Sequence, residues 1–149
     1  MFHKDIAQSA CAVQPEGSGP HPSLRLLSSD DLRAGAEQAK LVRKIQRARS
    51  SRTDFLSTTL FGEPAWDMLL ELFASAIEQK RVTVGELCIA SNVPQTTALR
   101  WIDVLVREEL VTRRSDPLDA RRVHLELMPS AYEAMRDYAD QLSGTLRTA

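Results

Sequence analysis

Gln95, Thr96, Thr97 and Arg100 fall within six residues, and two arginine pairs, Arg113-Arg114 and Arg121-Arg122, flank a turn-forming stretch further on. Side chains of these types can read a nucleic-acid duplex. An arginine guanidinium donates paired hydrogen bonds to a guanine edge, a glutamine carboxamide serves adenine, and threonine meets phosphate or the thymine methyl. Arginines on a hairpin suit phosphate oxygens or the negative potential of a narrow minor groove. Asp119 lies between the arginine pairs, and phosphate would repel it, so its expected role is to orient an arginine. The plainer readings are a solvated helix face for the first group and charged protection of a strand edge for the second. Contact is favoured because a hairpin follows the helix where a reading head needs one.

The elements that must position these groups follow from hydrophobic period. Ala98, Ile102, Leu105 and Val106 recur near helical spacing while Gln95, Thr96, Arg100, Asp103 and Arg107 take another face, which predicts a helix from Gln95 to Glu109. Trp101 is expected among its packing residues. A strand over Leu110 to Arg114, a turn over Ser115 to Ala120 and a returning strand over Arg121 to Leu127 come next, the last marked by the Val123/Leu125/Leu127 alternation. Before the helix, Thr83-Val84-Gly85-Glu86 has the spacing of a capping box and opens a short helix to about Ser91. Asn92-Val93-Pro94 then makes the turn, so the two helices meet at an angle, as in a helix-turn-helix.

Further upstream, Pro64 suits the first turn of a helix carrying the apolar stripe Trp66, Leu69, Leu70, Phe73 and Ile77, with residues 55–62 as connector. A helix from Ser29 or Asp30 to about Arg49 places Leu41, Ile45 and Ala48 on one side. Lys40, Arg43, Lys44 and Arg47 lie on another, where they could contact phosphate, lie on a membrane surface or simply be solvated. Ser130 and Glu133 have capping-box spacing before a final helix with the stripe Ala131, Met135, Tyr138, Leu142 and Leu146. Residues 1–27 hold Pro15, Pro20, Pro22, Gly17 and Gly19 without a sustained apolar period, and a disordered arm is expected there.

With 149 residues, 43% hydrophobic and 26% charged, the chain fits one ordinary globular domain. The net charge of −1 argues against a general polyanion binder, so nucleic-acid binding must rest on local charge, and Lys40 to Arg52 concentrates six basic residues without an acidic one. Cys11 and Cys88 make no metal-type spacing with each other or with the three histidines, and no secretory or membrane-spanning stretch is evident. The expectation is a cytoplasmic protein without metal or cofactor. Cys88 should pack as a small apolar residue, and Cys11 lacks a basic neighbour to activate it. Glu63, Asp67 and Glu71 share four-residue spacing, which reads as a solvated helix side, and no nucleophile or phosphate-cradling loop accompanies them, so an enzyme is not expected.

The element order, together with Leu87-Cys88-Ile89-Ala90, Thr96-Thr97-Ala98-Leu99-Arg100-Trp101-Ile102, Leu110-Val111-Thr112-Arg113-Arg114 and above all Asp116-Pro117-Leu118-Asp119-Ala120-Arg121-Arg122-Val123, resembles the MarR family of winged-helix transcription regulators. The resemblance spans about residues 30–146 and departs at Met128-Pro129-Ser130. It implies a mainly α winged helix-turn-helix domain over 28–149 with a small β-hairpin, a DNA-binding core at about 64–128 and N- and C-terminal dimerisation helices. It further implies a homodimer on double-stranded DNA, usually a repressor, with recognition helices in successive major grooves and wings on the minor grooves; no effector is readable. The stripes of the two end helices agree with association, since one small core cannot cover them. The rival reading is a winged-helix module that binds another protein and no DNA, which would not need basic residues at both wing and reading face.

Overall fold

The computed structural model describes residues 28–56 and 62–148; the expected arm at 1–27, with Cys11, and the middle of the 55–62 connector lie outside the described residues. The described elements run α1 (Ser29–Ser51), a 3₁₀ turn (Arg52–Asp54), α2 (Pro64–Ile77), β1 (Val82–Thr83), α3 (Val84–Ala90), α4 (Gln95–Arg107), β2 (Val111–Ser115), β3 (Val123–Leu127) and α5 (Pro129–Thr148).

Two capping boxes set helix starts. Ser28 and Asp31 exchange side-chain and backbone hydrogen bonds at α1, and Thr83 and Glu86 do so at α3. These bonds hold both carboxyls below their ordinary range, Asp31 through the Ser28 hydroxyl and Glu86 through the Thr83 backbone N–H. The box expected at Ser130 does not form: α5 begins one residue earlier with Pro129, and Glu133 pairs with Arg136. Pro129 is preset for a first turn, which displaces the expected cap.

The expected hairpin is part of a three-stranded antiparallel sheet in the order β1-β3-β2. Its hairpin register pairs Val111 with Leu127, Arg113 with Leu125 and Ser115 with Val123. On the other edge Val82 pairs with Leu125 and Thr83 with His124. Thr83 therefore ends a strand and caps a helix at once.

The core is built around α2. Met68, Leu70, Phe73 and Ala74 are fully buried, and Val42, Leu87, Ala98, Ile102, Leu105, Val111 and Leu125 close around them. At roughly 25 cal/mol per Å² of apolar surface removed from water, this clustering is the main stabilising contribution. Aromatic rings tie α5 to α2. Trp66 and Tyr138 meet edge to face at 5.0 Å, and Phe73 lies 5.3 Å from Tyr132.

The end helices carry two corrections. On α5 the buried ridge is Ala131, Met135 and Ala139, while Tyr138 (40% exposed) and Leu146 (59%) point outward. On α1, Gln38, Ala39 and Val42 are buried and Ala48 is exposed. Arg43 leaves the expected outward basic stripe for α2: its Nε and Nη2 donate to the two oxygens of Glu78 at 2.9 and 3.0 Å, its Nη1 to Glu71 at 2.5 Å. Arg49 likewise reaches Asp67 (2.6 Å) and Glu63 (2.7 Å). The acidic residues expected on a solvated side of α2 are thus one half of an interhelix clamp, with Asp67 buried and Glu71 half-buried. Two partly buried helices that each carried an unanswered charge would lose several kcal/mol, so the charges face each other.

Candidate nucleic-acid interface

On α4 the inward ridge is Ala98, Ile102 and Leu105, all buried. Opposite it, at spacings of four, three and four, stand Thr96, Arg100, Asp103 and Arg107, all exposed. Gln95 and Thr97 are exposed at the first turn. Of the outward residues Arg107 lies furthest along the helix, and sequence reasoning placed it on this face without naming it a contact. Trp101, expected to pack, is 37% exposed on the flank of the ridge. Neither Arg100 nor Arg107 has an ion pair among the described residues.

One contact sets the relation of helix to hairpin. Arg113 on β2 donates to Asp103 on the α4 ridge at 2.6 Å, a side-chain link between the hairpin and the outward face of the helix, which stays exposed. Arg113 thus pairs with α4 while staying partly exposed, and Arg114 approaches Glu126 across the hairpin at 3.7 Å.

The hairpin tip is closed by its own backbone. Asp116 N–H donates to the Arg122 carbonyl and Arg122 N–H to the Asp119 carbonyl, both at 2.9 Å. Two aspartates brace the turn from the side: Asp116 Oδ1 accepts from Leu118 N–H at 2.8 Å and Asp119 Oδ1 from Arg121 N–H at 3.0 Å. Asp119 Oδ2 also lies 3.7 Å from Arg122 Nε, an exposed pair. Arg121 is exposed and has no ion pair among the described residues.

Below the tip lies a group that sequence reasoning missed. His124 Nε2 is 3.0 Å from Asp116 Oδ2, and Arg81, from the segment before β1, reaches the same oxygen at 3.4 Å. The Leu118 N–H, followed by His124, holds the Asp116 carboxyl below its ordinary range. His124 is buried, and its Nδ1 has no hydrogen-bond partner among the described residues. The Val123/Leu125/Leu127 alternation leaves His124 on the opposite face of β3, where it lies beside Thr83 of β1 and is buried. The wing is thus fastened to β1 and to the segment before it.

An open groove of about 620 Å³ runs under the C-terminal half of α1, lined by Arg43, Arg47, Ser50, Asp67, Glu71 and Asn92 among others. Two of its carboxylates, Asp67 and Glu71, already serve the α1–α2 clamp. Among the described residues no group of three or more histidine, cysteine, aspartate or glutamate side chains could hold a metal ion, and no helix is long and apolar enough to cross a membrane. Cys88 is buried and burial raises its thiol pKa.

No protein-family model matches the sequence. MepR from S. aureus in its DNA complex superposes with a TM-score of 0.51 at 21% identity, covering 73% of this chain and 87% of that one. The chain has the winged-helix fold. Its structural neighbours are MarR-type winged-helix regulators, the type that the sequence resembles. A point mutant of Lactococcus lactis ZitR is also similar, with a TM-score of 0.44 and 18% identity over 55% of each chain. Among curated proteins, 66 residues are 32% identical to riboflavin kinase of Thermococcus kodakarensis, over 44% of this chain. The match spans only 30% of the kinase's length.

Proposed function

We propose that the chain is a sequence-specific, DNA-binding transcription regulator, a repressor acting as a homodimer, with α4 in the major groove and the β2–β3 wing on the flanking minor groove. The observation that carries this is the Arg113–Asp103 pair, which links the wing strand β2 to the outward ridge of α4. In this reading Arg100 and Arg107 on that ridge and Arg121 on the wing meet one duplex. The fold shared with MepR, which was seen in complex with DNA, supports the same reading. Gln95, Thr96, Thr97 and Arg100 are the proposed base-reading group, and Arg114, Arg121 and Arg122 the backbone or minor-groove group, with Arg113 and Asp119 holding the wing.

The dimer reading rests on the end helices. Leu32 near the start of α1 and Tyr138 and Leu146 on α5 leave apolar surface outward, and α1 and α5 pack on each other. A second copy is the proposed cover, giving two half-sites about 10 base pairs apart between centres.

Selection of bound duplexes from a random-sequence pool tests the function. Arg100→Ala should cost about 1–3 kcal/mol on the selected duplex and relax preference at one position. Arg121→Ala or Arg122→Ala should weaken all sequences more evenly, and each phosphate left without its arginine should lower the slope of log K against log salt by about 0.9. Parent-like binding by all three variants would leave the protein-interaction reading in its place. Sedimentation of the full chain as a monomer at micromolar concentration would remove the dimer.

A further inference from the structure

The wing tip carries an apolar side chain to which neither base reading nor phosphate binding gives a role. Leu118 is 96% exposed, more than any other large hydrophobic side chain among the described residues, and Pro117 precedes it. The turn itself does not call for leucine: glycine, asparagine or lysine would serve it without exposing an isobutyl group to water. Nor is the tip loose. The Asp116 and Asp119 carboxylates take the Leu118 and Arg121 N–H groups, and the Asp116–Arg122 and Arg122–Asp119 backbone bonds close the loop beneath. With these polar groups satisfied, the turn holds Leu118 outward before any partner arrives.

We propose that Leu118 is an apolar wedge that enters the minor groove and partly opens a base step, bending the duplex while Arg121 holds the adjoining phosphates. This rests on the DNA-binding reading and adds a specificity determinant to it. Charge chooses the occupant. A leucine tip seeks a dry surface, which a protein pocket or the edge of a base stack can each supply, but exposed Arg121 and Arg122 stand beside it. The two carboxylates nearby are directed at protein partners, Asp116 at His124 and Arg81, Asp119 at Arg122, which lessens their repulsion of phosphate. Apolar side chains flanked by arginine suit the minor groove, and pyrimidine–purine steps unstack most readily, so the tip should prefer such a step at its position.

The test uses the full chain and a duplex selected by it, end-labelled with a donor–acceptor dye pair so that affinity and bending are read together. Leu118→Ala should weaken binding about three- to ten-fold and reduce the bend, with the salt slope unchanged because every arginine stays on its phosphate. Leu118→Met should retain both. Arg121→Ala should keep the bend and flatten the salt slope. Moving the flexible step out from under the wing should cost the parent affinity but leave Leu118→Ala indifferent. If Leu118→Ala binds and bends like the parent while Arg121→Ala binds more weakly, the wedge is overturned and DNA reading stands. If the parent selects no duplex at all, both fall together. Thermal melting of Leu118→Ala should match the parent, since the side chain is almost wholly in solvent, and a lowered melting point would overturn the proposal as well.

Discussion

Glu78→Gln tests whether the clamp between α1 and α2 stabilises the fold through charge. Glu78 receives both a terminal and the inner nitrogen of Arg43, and with Lys80 also in reach its carboxyl falls from the ordinary 4.5 to about 2, mainly through the Arg43 hydrogen bonds. At 1.36 kcal/mol per unit that shift has an upper limit of about 3 kcal/mol. The side chain retains 24% exposure, and screening by the solvent that reaches it lowers the expectation to about 1–2 kcal/mol. A carboxyl whose pKa is depressed on folding stabilises fully above its ordinary value and loses that contribution as pH falls toward the folded value. Urea unfolding followed by circular dichroism should therefore show a gap of about 1–2 kcal/mol between parent and Glu78→Gln near neutral pH, closing between about pH 4.5 and about pH 2. A gap that stays constant across that window would mean that only shape matters and that the ionic argument is wrong. No gap at neutral pH would mean that the pair contributes nothing.

Arg49→Met leaves buried Asp67 unanswered and should cost about 2–4 kcal/mol in urea unfolding, with Asp67→Leu in the same chain recovering much of it. Thr83→Ala removes the hydroxyl of the α3 capping box and should cost about 1 kcal/mol, whereas Ser130→Ala should stay within about 0.5 kcal/mol because no cap forms there. Glu109, just past α4, holds φ at 56°, so Glu109→Gly should raise the melting temperature by relieving about 1 kcal/mol of left-handed strain.

The fold was legible wherever a period or a cap had room to repeat. Ala98, Ile102 and Leu105 mark the inward ridge of α4 over nearly two turns, and Val123, Leu125 and Leu127 mark β3. β1 was not legible, because two residues cannot show alternation, and its pairing with β3 depends on a register fixed by distant chain. His124 shows the same limit: alternation gives its side of the strand, and whether that side is buried depends on what distant chain brings against it. On α5 the stripe drifted by one ridge. Tyr138, Leu142 and Leu146 follow the same spacing as Ala131, Met135 and Ala139, and period cannot say which of two apolar ridges meets the core.

Arginine posed the harder problem, since one residue type does two jobs here. Arg43 and Arg49 brace α1 against α2, Arg113 braces β2 against α4, and Arg100, Arg107 and Arg121 make no ion pair among the described residues. Basic density along the sequence is highest on α1, where two of the arginines are engaged in the clamp, and it therefore pointed away from the candidate interface. What separates the classes is the opposing element: Asp67, Glu71 and Glu78 lie at spacings of four and seven on α2 and its C-cap, a single helical side that answers α1 charge for charge. That side was visible in the sequence, but its meaning required knowing which helix it faces. The consequence reaches the interface, because α1 and α5 are the proposed dimer helices and α2 forms the core against which α4 packs. In the proposed dimer, the separation of the two reading helices is then set partly by Arg43 and Arg49, which lie on α1 rather than on the reading helix or the wing.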